Sequence, residues 1–165
     1  MVVVACGDYV TEEALAGVKL FKERFPKIRL RFINILKLDI LSEANAKISN
    51  KKIIEKYLTR DKGIVFNFHG YPATIKKLLF DYNLSERIII NGYEENGSTT
   101  SPFDMKARNG LSRFHLVKDL VELGTRQKIF SKKQQDKIFS EMDNFLHWEK
   151  SYIKKYKVDP ESIKN

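Results

Sequence analysis

Three short strings hold most of the side chains that could do chemistry. In Phe68-His69-Gly70-Tyr71-Pro72 an imidazole able to act as acid or base near neutral pH follows an apolar run. Gly92 to Met105 carries Tyr93, the adjacent carboxylates Glu94 and Glu95, the hydroxyls of Thr99 and Thr100, and Asp104 after Pro102-Phe103. Ser112-Arg113-Phe114-His115-Leu116 adds an arginine and a second histidine. Upstream, Gly7-Asp8-Tyr9 follows Cys6, whose thiolate would be reactive at a helix N-terminus. Each has a structural alternative. His69 could hold a loop carbonyl and His115 could pack half-buried. Cys6 could be a small apolar filler, Asp104 a helix cap, and the threonine hydroxyls partners for buried backbone. Consecutive carboxylates in a loop need not face the same way. His69, His115 and His147 show no metal-ligand spacing, so zinc is not expected. No Gly-x-Ser-x-Gly, P-loop or Gly-x-Gly-x-x-Gly string occurs.

The elements that must position these residues alternate. Apolar runs at Val2–Cys6, Arg29–Leu36, Ile64–Phe68 and Arg87–Ile90 suit strands buried on both faces of a parallel sheet. Between them the pattern predicts helices. The first is capped by Thr11, with Ala14, Leu15, Val18, Phe21 and Phe25 inward. Asn50–Thr59 turns Ile53, Ile54, Tyr57 and Leu58 inward, and another helix opens at Pro72. A further one starts at Ser112 and ends at Gly124, and a long one starts at Ser131. The tail around Pro160 is expected to be poorly ordered. Strand–helix alternation implies a three-layer α/β/α sandwich. Right-handed crossovers imply strand order 2-1-3-4. The crevice between strands one and three, beyond their carboxyl ends, is then the natural ligand position, and the unusual loops gather there. Helix N-termini at the same edge make an anion site possible; the same loops could instead brace one another, with Gly70 in a tight turn and Tyr71 packed.

The chain has 165 residues, enough for one domain with a real core: an α/β part over 1–125 and a helical extension over 126–165. It is 42% hydrophobic and 31% charged, which is globular rather than disordered. One cysteine builds no disulfide framework and fits a reducing cytosol, and no run is long enough to span a membrane. The net charge of +9 comes mostly from lysines on helix faces, so nucleic-acid binding is not expected.

The three strings, in this order, resemble the C-terminal domain of the phosphoketolase family, where they read close to FHGYP, GY-x-E-x-GTTTTPFDM and N-x-x-x-RFHL. The resemblance extends to Val4-Ala5-Cys6-Gly7-Asp8 and to Asp61-Lys62-Gly63-Ile64-Val65-Phe66, roughly three quarters of the chain. It implies a transketolase C-terminal-domain-like fold of four or five strands. It also implies a parent enzyme that cleaves xylulose 5-phosphate, or fructose 6-phosphate, with phosphate to give acetyl phosphate. Glyceraldehyde 3-phosphate or erythrose 4-phosphate is the other product. Thiamine diphosphate and Mg2+ would sit between the preceding domains of a homo-oligomer. Here Gly7-Asp8 is followed by Tyr9 rather than by the thiamine signature, so this domain is expected to bind no cofactor or metal, to hold no catalytic residue and to be inactive alone. A first strand beginning at Met1 suggests a piece of a longer polypeptide. Residues expected to contact neighbouring domains or an anion are Gly7, Asp8, His69, Gly70, Tyr71, Tyr93, Glu94, Thr99, Thr100, Asp104, Arg113 and His115. The rival expectation is an independent α/β module binding an anion or nucleotide at the crevice. The sequence departs from the family at Gly97-Ser98-Thr99-Thr100-Ser101, at Lys76-Lys77 and in Leu38–Asn50, which leaves substrate preference open.

Overall fold

A computed structural model describes residues 1–41, 50–94 and 100–163. Strands β1 (Val2–Cys6) and β3 (Ile64–Phe68) lie side by side at the centre of the sheet, with β2 (Arg31–Asn34) outside β1 and β4 (Ile88–Gly92) outside β3. All pairings are parallel, in the order β2-β1-β3-β4 expected from the crossovers. Val4 stands opposite both Ile33 and Phe66, and Phe66 opposite Ile90.

The two-residue period of the central strands feeds two cores. Val2, Val4, Ile64 and Phe66 meet α2 (Asn50–Leu58) and α3 (Pro72–Leu78) through Ile54, Leu58 and Ile75. Val3, Ala5 and Val65 meet α1 (Asp8–Arg24) and α5 (Arg113–Arg126) through Ala14, Phe21, Leu116 and Leu120. Fully buried Phe66 and Phe21 each contribute roughly 1.5–3 kcal/mol by leaving water. The short α4 (Pro102–Arg108) and the long α6 (Lys132–Tyr156) join the second core, where Ile138 and Met142 of α6 close it. Ser131 caps α6 in a capping box with Gln134. On α6, Trp148, Tyr152 and Tyr156 follow at four-residue spacing with ring centroids 5.8 and 4.5 Å apart; Trp148 and Tyr156 are exposed.

Several local expectations are corrected. β2 is only four residues long and only partly buried, because it is an edge strand. β4 starts at Ile88 and runs through Gly92. α1 begins at Asp8, before Thr11, whose Oγ1 instead donates to the Gly7 carbonyl at 2.7 Å. Its buried face is Val10, Glu13, Ala14, Gly17 and Phe21, and Leu15 is exposed. Tyr57 is exposed too, and the side chain of Ile53 lies outside the described set. α5 continues past Gly124 because the ring of Phe130 packs where that residue has no side chain. The tail is docked: Glu161–Ile163 forms a turn of 3-10 helix with Ile163 buried.

Candidate functional site

The carboxyl ends of all four strands point to one edge, and crossovers depart from β1 to one face and from β3 to the other. The loops there are tied by a continuation of the sheet ladder. The amide of Ile35 donates to Ala5 (2.8 Å), that of His69 to Cys6 (2.9 Å) and that of Tyr93 to Phe68 (3.2 Å).

Three glycines make this edge possible. Gly7 has φ +113 and ψ 149, a region other residues avoid, and a Cβ there would collide with Cβ of His69. A Cβ on Gly70 would stand 2.7 Å from the Phe68 ring, so Gly70 is needed for space rather than for a left-handed turn. Gly92 lies against the Gly70 carbonyl and Pro72, whose Cδ would be 2.6 Å from an added Cβ.

Held this way, the exposed His69 ring stands between two tyrosines, edge-on to Tyr9 and to Tyr93 at 5.6 Å each. It makes no hydrogen bond to a loop carbonyl among the described residues. The three rings border a cleft of about 280 Å³ that also touches Thr100, Met105 and Lys106. The Lys106 ammonium lies over the Tyr9 ring at 5.9 Å. Tyr71, expected to pack, is 60% exposed; Tyr9 is 57% and Leu36, at the end of β2, 87% exposed. The edge therefore presents a largely aromatic surface to solvent.

The other expected residues fall into separate groups. Asp8 is exposed at the start of α1. Glu94 is exposed, and its amide donates to Asn109 Oδ1 at 2.8 Å, closing its loop against the end of α4. Asp104 is not the cap of α4; Ser101 is, followed by Pro102. The buried Asp104 carboxylate instead accepts from Thr100 Oγ1 (2.6 Å) and Arg108 Nε (2.7 Å). Thr99 and Glu95 lie outside the described residues. Arg113 turns away from the edge to Glu13, and His115 accompanies the α5 cap, its Nδ1 2.7 Å from Ser112 Oγ. Burial, reinforced by Lys118, pushes the His115 imidazole down to about 4 and keeps it neutral. Cys6 is buried, and burial raises its thiol, so it is an apolar filler.

Sequence reasoning missed the buried acids. Glu13, 2% exposed, sits on the apolar face of α1, and that placement was the available signal. Asp119 accepts from Asn91 Nδ2 (2.7 Å), which also donates to Asn67 Oδ1 (3.0 Å), forming a polar chain from β3 through β4 to α5. Burial lifts Asp119 to about 7.

Among the described residues, no candidate nucleophile at the edge is hydrogen-bonded to a base. The donor set also does not fit a diphosphate-bound metal. Asp8 stands exposed beside Tyr9, and no three His, Cys, Asp or Glu side chains converge to hold a cation among the described residues. No described helix is long and apolar enough to cross a membrane.

Comparison with known proteins places this arrangement. Residues 1–165 match the model of the XFP C-terminal domain. The chain is 35% identical over 156 residues to "Probable phosphoketolase 1" of Rhizobium meliloti (strain 1021), covering 91% of this chain and 19% of that protein. It is 32% identical over 165 residues to "Probable phosphoketolase 2" of Lactiplantibacillus plantarum, covering 100% and 20%. With "Probable phosphoketolase" of Gloeobacter violaceus it shares 40% over 125 residues, covering 74% and 16%. Among solved structures, "Split gene transketolase, inactive beta4 tetramer" superposes with a TM-score of 0.50 at 14% identity, over 75% of this chain and 39% of that one. That likeness concerns the fold alone. The chain spans about a fifth of the length of the curated relatives it matches. It belongs to the XFP C-terminal domain family, as the C-terminal portion of phosphoketolase-type proteins.

Proposed function

We propose that this chain, as a member of the XFP C-terminal domain family, is the docking and assembly domain of a cytosolic phosphoketolase. The parent cleaves xylulose 5-phosphate, fructose 6-phosphate or both with phosphate, giving acetyl phosphate and glyceraldehyde 3-phosphate or erythrose 4-phosphate. Thiamine diphosphate and Mg2+ bind in the preceding domains of a homo-oligomer, and this domain supplies no catalytic group. The observation that carries the reading is the aromatic edge of exposed Tyr9, His69 and Tyr71 with half-buried Tyr93, held in place by glycines with no room for a side chain. Aromatic groups anchor interfaces, and an exposed patch of them is expected to be covered.

The test compares the chain alone, the parent polypeptide and the parent carrying Tyr71→Lys with Leu36→Glu. The chain alone should form no acetyl phosphate. The double variant should lose assembly, read by sedimentation, before its isolated domain loses thermal stability. Full assembly and activity in that variant would remove the basis of the proposal.

One observation favours a second reading. His69 and Lys106 both line the cleft at the switch point, where a small anion could bind. Titrating inorganic phosphate while following the His69 ring resonances distinguishes the two, since docking alone predicts no shift.

A further inference from the structure

Where α1, α4, α6 and the tail meet, Glu149 lies within electrostatic reach of three other carboxylates, Asp104, Asp159 and Glu13, though no three of the four group closely enough to hold a cation. Three cations face them from α4 and α5, and each is already engaged. Arg113 and Lys106 bind Glu13, and Arg108 binds Asp104. Among the described residues no cation is left for Glu149. It is 1% exposed, in the middle of α6, and its Oε1 has no hydrogen-bond partner among the described residues. Asp159 is in the same position on one side: Oδ2 accepts from the Phe103 amide at 3.2 Å, while Oδ1 is buried without a partner. Lys150 and Lys154 of α6 and Lys157 of the tail sit exposed at the rim, where water screens them; Glu161 is exposed on the tail.

A carboxylate without partners in a dry site is far costlier than a carboxylic acid. We propose that Glu149 carries a proton below neutral pH and that losing it releases the C-terminal segment, residues 157–163, from the start of α4. The tail is the element free to yield. Its polar anchors include Asp159 on the Phe103 amide and the Ile163 carbonyl on Arg113 Nη2 (2.8 Å), supported by the buried side chain of Ile163. α1, α4 and α6 are held by the core itself. Desolvation, and then Asp104, Asp159 and Glu13, lift Glu149 to about 7, so release falls near neutrality. The strain would reach α4 directly, because Phe103 is its second residue.

The experiment uses the 165-residue chain with no partner, so its outcome is separate from the docking reading. Amide resonances of Phe103 and Ile163 are followed from about pH 5.5 to about pH 8.5. In the unmodified chain both should titrate together with a midpoint near 7, and infrared absorption, read with Asp119→Asn in place so that this second raised carboxyl is silent, should show a protonated carboxylic acid at pH 6 that is gone by the top of the range. Glu149→Gln should abolish both signals and keep the tail docked throughout. Asp159→Asn should lower the midpoint by about one pH unit. An untitrated Phe103 amide, or a midpoint unchanged in Glu149→Gln, overturns the proposal. If Glu149→Gln does not fold, the infrared band read with Asp119→Asn in place and the Asp159→Asn midpoint decide.

Discussion

Glu13 and Arg113 are one hundred positions apart in the chain, yet Glu13 accepts three hydrogen bonds from Arg113. The Arg113 backbone amide and Nε reach Oε2 at 2.9 and 3.1 Å, and Nη2 reaches Oε1 at 2.9 Å. The pair pins the start of α5 to the second turn of α1. Arg113→Met would remove both guanidinium bonds and leave the buried carboxylate with the backbone amide of residue 113 and Lys106 at 3.4 Å. It should cost about 3–5 kcal/mol in urea unfolding. Adding Glu13→Met should recover much of that loss; a double variant no more stable than the single would show that the residues act separately.

Gly7 should tolerate no side chain. Its backbone lies in a glycine-only region, and the Cβ of His69 occupies the space a methyl would take. Gly7→Ala is expected to cost about 2–4 kcal/mol from backbone strain and steric overlap together. The His69 ring resonances should move at the same time, because the ring is displaced from between Tyr9 and Tyr93. A melting temperature within a degree of the unmodified chain would contradict this account.

Acid should weaken the fold through His115. Its folded form stays neutral down to about 4, while the unfolded chain takes up the proton from the ordinary value of 6.5. The unfolded state therefore binds more protons between these values, and the contribution of His115 to stability is lost as pH falls from 6.5 to about 4. His115→Gln should flatten that part of the curve measured by thermal melting.

Asp119 acts in the opposite direction. Burial holds its folded carboxyl at about 7 against an ordinary 3.8. The folded state keeps a proton the unfolded state has given up, so stability declines as pH rises from 3.8 to about 7. Asp119→Asn keeps an acceptor for Asn91 and removes the ionisation. It should be more stable than the unmodified chain at about pH 8 and indistinguishable at about pH 4. The reverse order would mean that the carboxylate is stabilising.

Ser131→Ala removes the capping box of α6. It should cost about 1 kcal/mol and speed amide exchange in the first turn of that helix. Unchanged exchange at Gln134 and Gln135 would mean packing of Ile138 alone holds the helix start.

The sheet order was legible because Val2–Cys6 is an unbroken apolar run and Ile64–Phe68 is interrupted only by Asn67, a pattern that the middle of a parallel sheet buries on both sides. The caps Ser112 and Ser131 were legible because hydroxyls before apolar periodicity have one local use. Thr11 misled for the same reason: Gly7 opens α1 with backbone alone, and no side-chain rule marks such a start. Leu15 and Tyr57 were read inward from periodicity, which gives spacing but not which flank of a stripe is covered. Convergence of the edge loops followed from topology. The pairing of His69 with Tyr9 and Tyr93 did not, because ring contacts depend on loop paths fixed by Gly7 and Gly92. Glu13 carried a signal in its place on the apolar face of α1, whereas Asp119 and Glu149 did not: a carboxylate reads as surface until its surroundings far along the chain are known.

Trp148 is the chain's single tryptophan, and it stands half-exposed beside Tyr152 and Tyr156 on α6. The intrinsic fluorescence of the molecule therefore originates from one spot. Light absorbed by the adjoining Tyr152, and by Tyr156 beyond it, can pass to the indole, whose emission colour tracks whether water or another surface lies over that part of the helix. Anything that settles there, or is peeled away, announces itself without a dye.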